Sequence, residues 1–334
     1  MGRSMIDTIY IENSILAHPR ARTICERFPA ARKIPCSRYS EVFNPKAQNF
    51  RVQKIRPALI LAEKFKNFVL PAPSGYAIGG DSNFYFSHML NCLYDCRYCF
   101  LQGMYQSAHY VLFVNFEDFQ QQIRSIAMQN NQDAVYFFSG YDCDSLAMEP
   151  LTGFAEAFLD LFGELPRAFL ELRTKSTQIR TLLAREALPN CIIGFSFTPQ
   201  QVSSALEHKV PSVERRVDAM ARLARRGWPI GLRFDPMIYE SNYQSNYRNL
   251  FARIFAELDD SWIHSVSYGS FRLPNPYFRK MKALHPKEKM FASPFELGGN
   301  MLSYRGALEQ EMLDFCETAL LEYIPEEKLF RCTS

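Results

Sequence analysis

Short apolar runs alternate with longer amphipathic stretches along most of the chain. The apolar runs have the length of strands that are buried on both faces, and the amphipathic stretches repeat apolar residues at helical spacing. This alternation predicts a parallel sheet with helices packed outside it. The predicted strands are Asn83–His88, Ala134–Ser139, Ala168–Arg173, Cys191–Phe197, Ile230–Asp235 and Ile263–Tyr268, and the predicted helices are Phe116–Gln129, Thr152–Phe162, Ser176–Glu186, Ser212–Arg226 and Tyr243–Leu258.

Six strand–helix units exceed the needs of a small doubly wound sheet and fall short of a closed eight-unit barrel. We therefore predict an α/β fold, a partial (β/α)6 barrel over residues 81–275 whose ligands bind at the C-terminal ends of the strands. Residues 1–80 are predicted to form an extension that packs on the barrel, with Leu59–Phe68 as a short strand or helix. Residues 276–334 are predicted to form a C-terminal helical segment that could contact nucleic acid.

The composition is that of a folded protein. Of 334 residues, 47% are hydrophobic and 22% are charged, which excludes a disordered tail, a collagen-like repeat and a small disulfide-stapled scaffold. The formal net charge of +3 permits a polyanionic partner without requiring one. Aromatic residues make up 14% of the chain, so flat ligands such as nucleobases could be stacked.

The nine cysteines favour a reducing compartment. Their number is odd, whereas a secreted disulfide framework has an even number in a small domain. The N-terminus has no apolar segment typical of a signal peptide, and no apolar run is long enough to span a membrane. We expect a cytoplasmic protein with no membrane partner and with reduced thiols available for a metal.

The sequence Cys92-Leu-Tyr-Asp-Cys96-Arg-Tyr98-Cys99 follows the first predicted strand at its C-terminal end. Three thiolates at this spacing can hold one side of a soft metal centre. A 4Fe–4S cube bound by only three cysteines keeps one iron free of protein ligands, so that a substrate can bind there. The alternative is structural zinc, which requires a fourth ligand such as Cys143, His88 or His109.

This cysteine spacing, with Tyr98 before the third cysteine, resembles the radical S-adenosylmethionine superfamily. The resemblance implies a partial barrel, a 4Fe–4S cluster held by Cys92, Cys96 and Cys99, and S-adenosylmethionine bound to the free iron. It further implies that one-electron reduction yields a 5′-deoxyadenosyl radical, with the electron coming from an external reductant such as flavodoxin or ferredoxin.

Three segments narrow the resemblance to the spore photoproduct lyase family: Leu70–Gly80, the cluster loop with Phe100-Leu-Gln behind it, and Cys143 after the second strand. The family implies repair of UV-damaged DNA in which two thymines are joined through a methyl carbon. It implies that Cys143 donates a hydrogen atom to the thymine radical and that Tyr98 assists. The alternative for Cys143 is an inert buried cysteine.

The family also implies cofactor contacts. Lys175, after the third strand, matches a lysine that pairs with the carboxylate of S-adenosylmethionine, and Ser145 and Ser196 match positions near its ribose and methionine moieties. Asp235 ends the fifth strand at the barrel mouth. The alternatives are a solvated lysine for Lys175 and a loop cap for Asp235.

One position departs from the family. Many members have a tyrosine on each side of the third cluster cysteine, whereas this chain has Tyr98 and Phe100. Because phenylalanine has no hydroxyl, a relay of hydrogen atoms through this position must be altered or use another group. The cluster and the fold do not depend on it.

Basic residues suggest where DNA binds, because lysine and arginine neutralise phosphates. A target dinucleotide must leave the base stack to reach a barrel mouth, where Tyr98, or Tyr304 with Arg305, could face it. The arginines of 212–226, including Arg216, are predicted to lie on a solvated helical face. The basic residues expected near DNA are Arg20, Arg22, Arg27, Arg32, Lys33, Arg38, Arg51, Lys54 and Arg56, and Arg279, Lys280, Lys282, Lys287 and Lys289.

Two other functions stay open from the sequence. The first is a radical S-adenosylmethionine enzyme that acts on an RNA base or a peptide, which Phe100 and the small net charge favour. The second is a non-enzymatic DNA-binding or redox module whose cluster only relays electrons.

Overall fold

The computed structural model describes residues 6–73, 75–130 and 133–332; Ser74 of the Leu70–Gly80 segment lies outside them. Strands are numbered in chain order. They are β1 Thr8–Glu12, β2 Arg32–Cys36, β3 Leu59–Ala62, β4 Val69–Pro71, β5 Ser82–Phe86, β6 Met89–Leu90, β7 Asp95–Cys96, β8 Tyr110–Phe113, β9 Val135–Ser139, β10 Ala168–Thr174, β11 Cys191–Ser196, β12 Glu207–His208, β13 Ile230–Met237, β14 Ile263–Ser270, β15 Arg272–Pro274, β16 Phe295–Gly298, β17 Met301–Tyr304 and β18 Leu329–Arg331.

The helices pack around these strands. Four short 3₁₀ turns each lie between a strand and a helix, at Asn13–Ile15, Asp260–Trp262, Lys289–Ala292 and Glu326–Lys328. Among the described residues, no helix combines the length and apolar character needed to cross a bilayer. The α-helices are α1 Pro19–Glu26, α2 Ser40–Phe43, α3 Phe50–Ile55, α4 Leu101–Met104, α5 Phe116–Gln129, α6 Glu149–Thr152, α7 Phe154–Gly163, α8 Arg180–Leu183, α9 Gln200–Leu206, α10 Val213–Ala224, α11 Tyr243–Phe255, α12 Asn275–Leu284 and α13 Gly306–Leu321.

The six predicted strands form the main sheet in their chain order. Strands β5, β9, β10, β11, β13 and β14 lie side by side and are all parallel. Strand β4 adds antiparallel at one edge and β18 adds parallel at the other, so the sheet curls without closing. The predicted partial barrel is confirmed, and its open side is available for a ligand.

The sheet strands carry apolar side chains on both faces because helices cover one face and the barrel interior the other. Every residue of β9 and β11 is buried. Helix α5 buries Phe116, Phe119 and Ile123, which share one face at helical spacing. The strand and helix periodicities seen in the sequence therefore follow from one layered core.

The helix predicted over Ser176–Glu186 is wrong over most of its length, since only Arg180–Leu183 is helical. The N–H of Ser176 donates to Oγ1 of Thr174 at 2.8 Å, and the N–H of Gln178 donates to Oγ of Ser176 at 3.0 Å. Such side-chain acceptors compete with helical hydrogen bonds.

The first eighty residues contribute to a second sheet that the sequence did not predict. Its strand order is β2-β1-β3-β8-β6, with β1, β2, β3 and β8 parallel. Leu59–Phe68 therefore begins with a strand, β3. Because β8 comes from the predicted barrel segment, the two segments share this sheet, and the division of the chain at residue 80 stays a prediction.

The C-terminal segment is helical in part, as α12 and α13, but it also holds strands that the sequence did not predict. Strands β16 and β17 form a hairpin that joins β15 in a three-stranded antiparallel sheet. The last strand, β18, returns to the edge of the main sheet beside β14.

Inside the main sheet, two arginines surround a buried carboxylate. Nε of Arg233 lies 2.9 Å and Nε of Arg173 lies 3.1 Å from Oε1 of Glu171. Burial raises the pKa of Glu171, but the charges of Arg233 and Arg173 outweigh burial and lower it to about 2. The carboxylate is thus ionised and depends on its cationic partners.

We expect Arg233→Met to lower the free energy of unfolding by about 3–5 kcal/mol, because it leaves a buried carboxylate short of a partner. Arg225 pairs with Glu257 at the surface at 3.1 Å, so Arg225→Met is a matched control with an expected effect within about 1 kcal/mol. Urea denaturation measures both. Equal losses in the two variants would contradict the importance of the buried pair.

Candidate active site

The three motif cysteines lie in a loop that is held from several sides. Cys92 follows β6, Cys96 ends β7, and Cys99 precedes α4. Strand β7 pairs antiparallel with β12, which places Cys96 opposite Glu207. The loop is thereby attached to the segment that follows α9, at the mouth of the barrel.

Lys54 and Gln102 fix the backbone of this loop. Nζ of the buried Lys54 donates to the carbonyls of Cys92 and Tyr94, both at 2.8 Å. Nε2 of Gln102 donates to the carbonyl of Cys96 at 2.6 Å. These side-chain donors add to the few backbone bonds of the irregular loop, such as the one from the N–H of Cys99 to the carbonyl of Cys96 at 3.1 Å. Lys54 was expected among the DNA-binding residues; the structure instead places it under the cysteine loop.

The thiols have the surroundings of cluster ligands. The N–H of Tyr94 donates to Sγ of Cys92 at 3.4 Å, and the N–H of Leu101 donates to Cys99. Burial raises the pKa of Cys92 to about 12 and raises the pKa of Cys96 and of Cys99 above the usual range. Metal binding must therefore release protons from these thiols.

The geometry does not resemble a zinc site. Within residues 6–73, 75–130 and 133–332, no three His, Cys, Asp or Glu side chains converge as ligands of one metal ion do. In a four-iron cube each thiolate binds its own iron, so such convergence is not required. His88 stacks on Phe154 with ring centroids 3.6 Å apart, and Nδ1 of His109 accepts the N–H of Ala58. Two of the three candidates for a fourth zinc ligand are thus oriented by other partners.

Glu207 connects the loop to the barrel. Its Oε1 accepts a hydrogen bond from the hydroxyl of Tyr98 and lies 3.7 Å from Nζ of Lys175. Its Oε2 lies 2.7 Å from Nη2 of Arg216. Burial raises the pKa of Glu207, but Lys175 and Arg216 outweigh burial, and the net effect lowers it. An ionised carboxylate therefore holds Lys175 and Tyr98 side by side, with Nζ of Lys175 5.3 Å from the centroid of the Tyr98 ring.

The prediction for Arg216 is wrong. It was expected on a solvated face, yet it is fully buried. Its Nη1 also donates to the carbonyl of Ser196 at 2.8 Å. The spacing of Val213, Val217 and Met220 along α10 places position 216 on the same buried face, and this periodicity could have revealed it.

A second carboxylate, Asp144, joins the ends of β9 and β10. It accepts the N–H of Lys175 at 2.6 Å and the hydroxyl of Thr174 at 2.7 Å. It also accepts the N–H groups of Leu146 and Ala147. Asp144 therefore fixes Lys175 relative to Cys143 and Ser145, its two sequence neighbours. Neither Asp144 nor Glu207 could be predicted from the sequence, because a single acidic residue carries no spacing signal.

Cys143 and Ser145 lie in the turn after β9. Gly140, with φ of +82°, permits the turn, and a Cβ there would lie 2.7 Å from Oγ of Ser145. That hydroxyl lies 2.8 Å from the hydroxyl of Ser139. Burial raises the pKa of Cys143 well above its usual range, so the thiol keeps its hydrogen at neutral pH. A protonated thiol is the form that can donate a hydrogen atom.

Asp235 belongs to a third charged group, separate from those around Glu207 and Asp144. It forms an ion pair with Arg272, whose Nη1 is 3.0 Å from Oδ1 and whose Nη2 is 3.4 Å from Oδ2. Arg272 in turn lies over the ring of Tyr76, from the loop before β5. The ion pair is more than a loop cap, and it places a charged pair beside the end of β13.

Tyr304 and Phe100 are two aromatic residues near the expected path of the lesion. Tyr304 was expected to face a lesion together with Arg305, but it is fully buried and its hydroxyl accepts the N–H of Tyr239 at 2.8 Å.

Phe100 is half-buried, and its ring centroid lies 5.5 Å from that of Tyr141, which in turn lies 4.6 Å from that of Tyr85. A hydroxyl-bearing ring, that of Tyr141, thus lies against the position where this chain has phenylalanine.

This chain is similar to known proteins in both sequence and fold. A family model described as spore photoproduct lyase matches residues 5–291. The chain belongs to the spore photoproduct lyase family. It is 23% identical over 292 residues to the spore photoproduct lyase of Bacillus subtilis (strain 168), covering 84% of this chain and 83% of that relative. With that of Clostridium acetobutylicum it shares 23% identity over 163 residues, 48% of each chain.

Solved structures share the fold. A mutant spore photoproduct lyase with bound AdoMet and dinucleoside spore photoproduct has a TM-score of 0.85 at 18% identity, covering 98% of both chains. A spore photoproduct lyase complexed with the dinucleoside lesion has a TM-score of 0.83 with the same coverage. As a family member, the chain is a radical S-adenosylmethionine lyase whose cofactors are a 4Fe–4S cluster and S-adenosylmethionine.

We expect Cys96→Ala to prevent stable cluster binding, because two thiolates cannot hold a cube that normally has three protein ligands. Iron content and visible absorption after anaerobic reconstitution measure this. Cys191→Ala, at a buried cysteine in β11, is the matched control and should bind iron like the unmodified protein. Full iron content in the Cys96 variant would remove Cys96 from the ligand set.

Proposed function

We propose that this chain repairs the spore photoproduct in DNA, returning two joined thymines to their original form. When bound, the cluster and S-adenosylmethionine supply a 5′-deoxyadenosyl radical that takes a hydrogen atom from C6 of the lesion. The observation that supports the proposal is the buried thiol of Cys143, one residue from the Asp144 that fixes Lys175. Burial raises the pKa of this thiol, which favours the protonated form. This arrangement supports a hydrogen-atom donor at the same strand ends as the proposed cofactor site.

Cys92, Cys96 and Cys99 hold the cluster in this proposal. Lys175 binds the carboxylate of S-adenosylmethionine: its pKa is raised because, although burial lowers it, Glu207 and Cys96 outweigh burial, so the ammonium stays charged. Its separation of 3.7 Å from Glu207 leaves donors for a ligand. Ser145 and Ser196, at the strand ends, serve the ribose and methionine moieties, and Asp235, paired with Arg272 near the end of β13, is a further cofactor contact.

Cys143 gives its thiol hydrogen atom to the thymine methylene radical, which becomes the thymine methyl group, and the sulfur keeps the unpaired electron. We assign to Tyr98 the return of a hydrogen atom to that sulfur. Its phenol, which donates a hydrogen bond to Glu207, gives up the whole hydrogen atom, so that the S–H bond of Cys143 re-forms and the unpaired electron passes to the phenolic oxygen of Tyr98. Phe100 cannot serve, because it has no hydroxyl.

DNA is held through its phosphates in this proposal. Arg279, Lys280 and Lys282 are exposed on α12, which begins beside the three-stranded sheet, where the N–H of Asn275 donates to the carbonyl of Asn300. Phosphate contacts give affinity without sequence preference, as repair of a lesion requires. The nine unpaired cysteines fit a reducing compartment such as the cytoplasm.

The function is tested by anaerobic reconstitution and reduction with dithionite in the presence of dinucleoside spore photoproduct. We expect restored thymidine dinucleotide together with 5′-deoxyadenosine, both measured by mass spectrometry. Formation of 5′-deoxyadenosine without restored thymidine would favour another substrate, such as an RNA base or a peptide. No cleavage of S-adenosylmethionine at all would favour a module that only relays electrons.

We expect Cys143→Ala to cleave S-adenosylmethionine at a rate similar to the unmodified protein but to lose clean thymine product, because the thymine radical has no thiol to reduce it. Product analysis on the same dinucleoside lesion measures this. Cys316→Ala, at a buried cysteine in α13, is the matched control and should give intact product. Clean thymine from the Cys143 variant would exclude Cys143 as the donor.

A further inference from the structure

A pocket of about 700 Å³ opens on the outer side of the cysteine loop. Its walls come from α3, from the loop residues around Cys96, from the turn after β12 and from the segment after α12. Representative lining residues are Arg51, Ile55, Arg97, Lys209, His285 and Lys287. None of these residues is assigned to the cofactors, whereas Arg51 and Lys287 are among the basic residues that the sequence predicts near DNA.

The rim of this pocket carries unbalanced positive charge. Arg51, Lys209 and Lys287 are exposed, and in the described part of the chain none of them lies within ion-pair distance of a carboxylate. The two carboxylates of the pocket, Asp95 and Glu288, both pair with Arg97, at 3.0 and 3.3 Å. Nη2 of Arg51 donates to the carbonyl of Ala283 at 3.4 Å and Nζ of Lys209 to that of Lys54 at 3.2 Å, but a neutral carbonyl does not cancel a positive charge. An acidic surface would therefore meet charges that no carboxylate neutralises.

Apolar side chains stand beside these charges. Val52 and Ile55 are 60% and 76% exposed, and they lie three residues apart on one face of α3. Ile55 lines the pocket. An apolar centre with a charged rim is the usual composition of a protein–protein interface, in which the charges guide association.

The pocket is separated from the cluster ligands by little more than the loop itself. Lys54 lines the pocket and bonds the carbonyl of Cys92, whereas the thiol of Cys92 lies in electrostatic range of Asp144 and of Cys143 on the barrel side. Arg97, between Cys96 and Cys99, also lines the pocket. A redox group docked here would come close to the cluster without entering the barrel.

The pocket also lies away from the expected path of the lesion. It is at the C-terminal end of α12, at Leu284 and His285, whereas the start of that helix adjoins the three-stranded sheet. Ten helical residues span roughly 15 Å. An electron carrier could thus remain bound while DNA occupies the barrel mouth.

We propose that this pocket docks a small acidic electron-carrier protein, which gives one electron to the cluster and is itself oxidised by one electron. Arg51, Lys209 and Lys287 meet its carboxylates, and Val52 and Ile55 meet an apolar patch around its redox group. The electron enters through the loop that carries Cys96. This inference rests on the proposed function in one respect only, which is that the cluster must be able to accept an electron.

The test reverses two rim charges, in Arg51→Glu combined with Lys287→Glu. The probe is a bacterial flavodoxin, and calorimetry measures its Kd for the reconstituted protein at low and high salt. We expect the Kd to rise at least about tenfold at low salt, and the difference from the unmodified protein to shrink at high salt as charges are screened. Flavodoxin-driven cleavage of S-adenosylmethionine should slow, while dithionite-driven cleavage stays unchanged.

The matched control makes the same charge change on a remote basic surface, in Arg222→Glu combined with Arg226→Glu, and should leave the Kd for flavodoxin unchanged. Equal affinities in the two double variants would overturn the inference. It would also be overturned if the pocket variant weakened binding of lesion-containing DNA and left flavodoxin binding unaffected, since the pocket would then be a DNA surface. Failed lesion repair with dithionite, with flavodoxin binding intact, would count against the proposed function alone.

Discussion

Three distant parts of the chain meet at the carboxylate of Glu207. It receives the hydroxyl of Tyr98 from the cysteine loop, the ammonium of Lys175 from the end of β10, and the guanidinium of Arg216 from α10. A buried carboxylate is tolerated only when such partners compensate for the water it has lost. The same requirement therefore fixes the cysteine loop against the barrel and orients two residues of the proposed mechanism.

The parallel sheet supplies the second constraint. Parallel strands bring their C-terminal ends to one edge, and each end leaves backbone groups without strand partners. Asp144 satisfies several of them at once and so joins the turn after β9 to the turn after β10. Cys143 is carried by this turn into a site where burial keeps its thiol protonated. The turn after β9 thus determines both where Cys143 lies and that its thiol is protonated.

The cysteine loop also has two sides with different proposed roles. Its inner side faces the barrel mouth, where Cys143 and Lys175 lie. Its outer side is braced by Lys54 and Arg97 and opens to the basic pocket. Reduction and lesion chemistry can therefore proceed on opposite sides of one short segment, which is consistent with a cluster that must accept an electron and also meet its organic cofactor.

Local patterns in the sequence predict the six-strand partial barrel and the three candidate cluster cysteines, because strand burial, helical periodicity and ligand spacing all lie within short segments. The sequence did not reveal the sheet that β8 shares with β1–β3, since short strands paired across a long separation have no periodic signature. Nor did it reveal Glu207, Asp144 or the burial of Arg216. A charged residue has the same letter in the sequence whether water or a distant partner compensates its charge. The folded protein distinguishes the two cases, because folding brings the distant partner into contact.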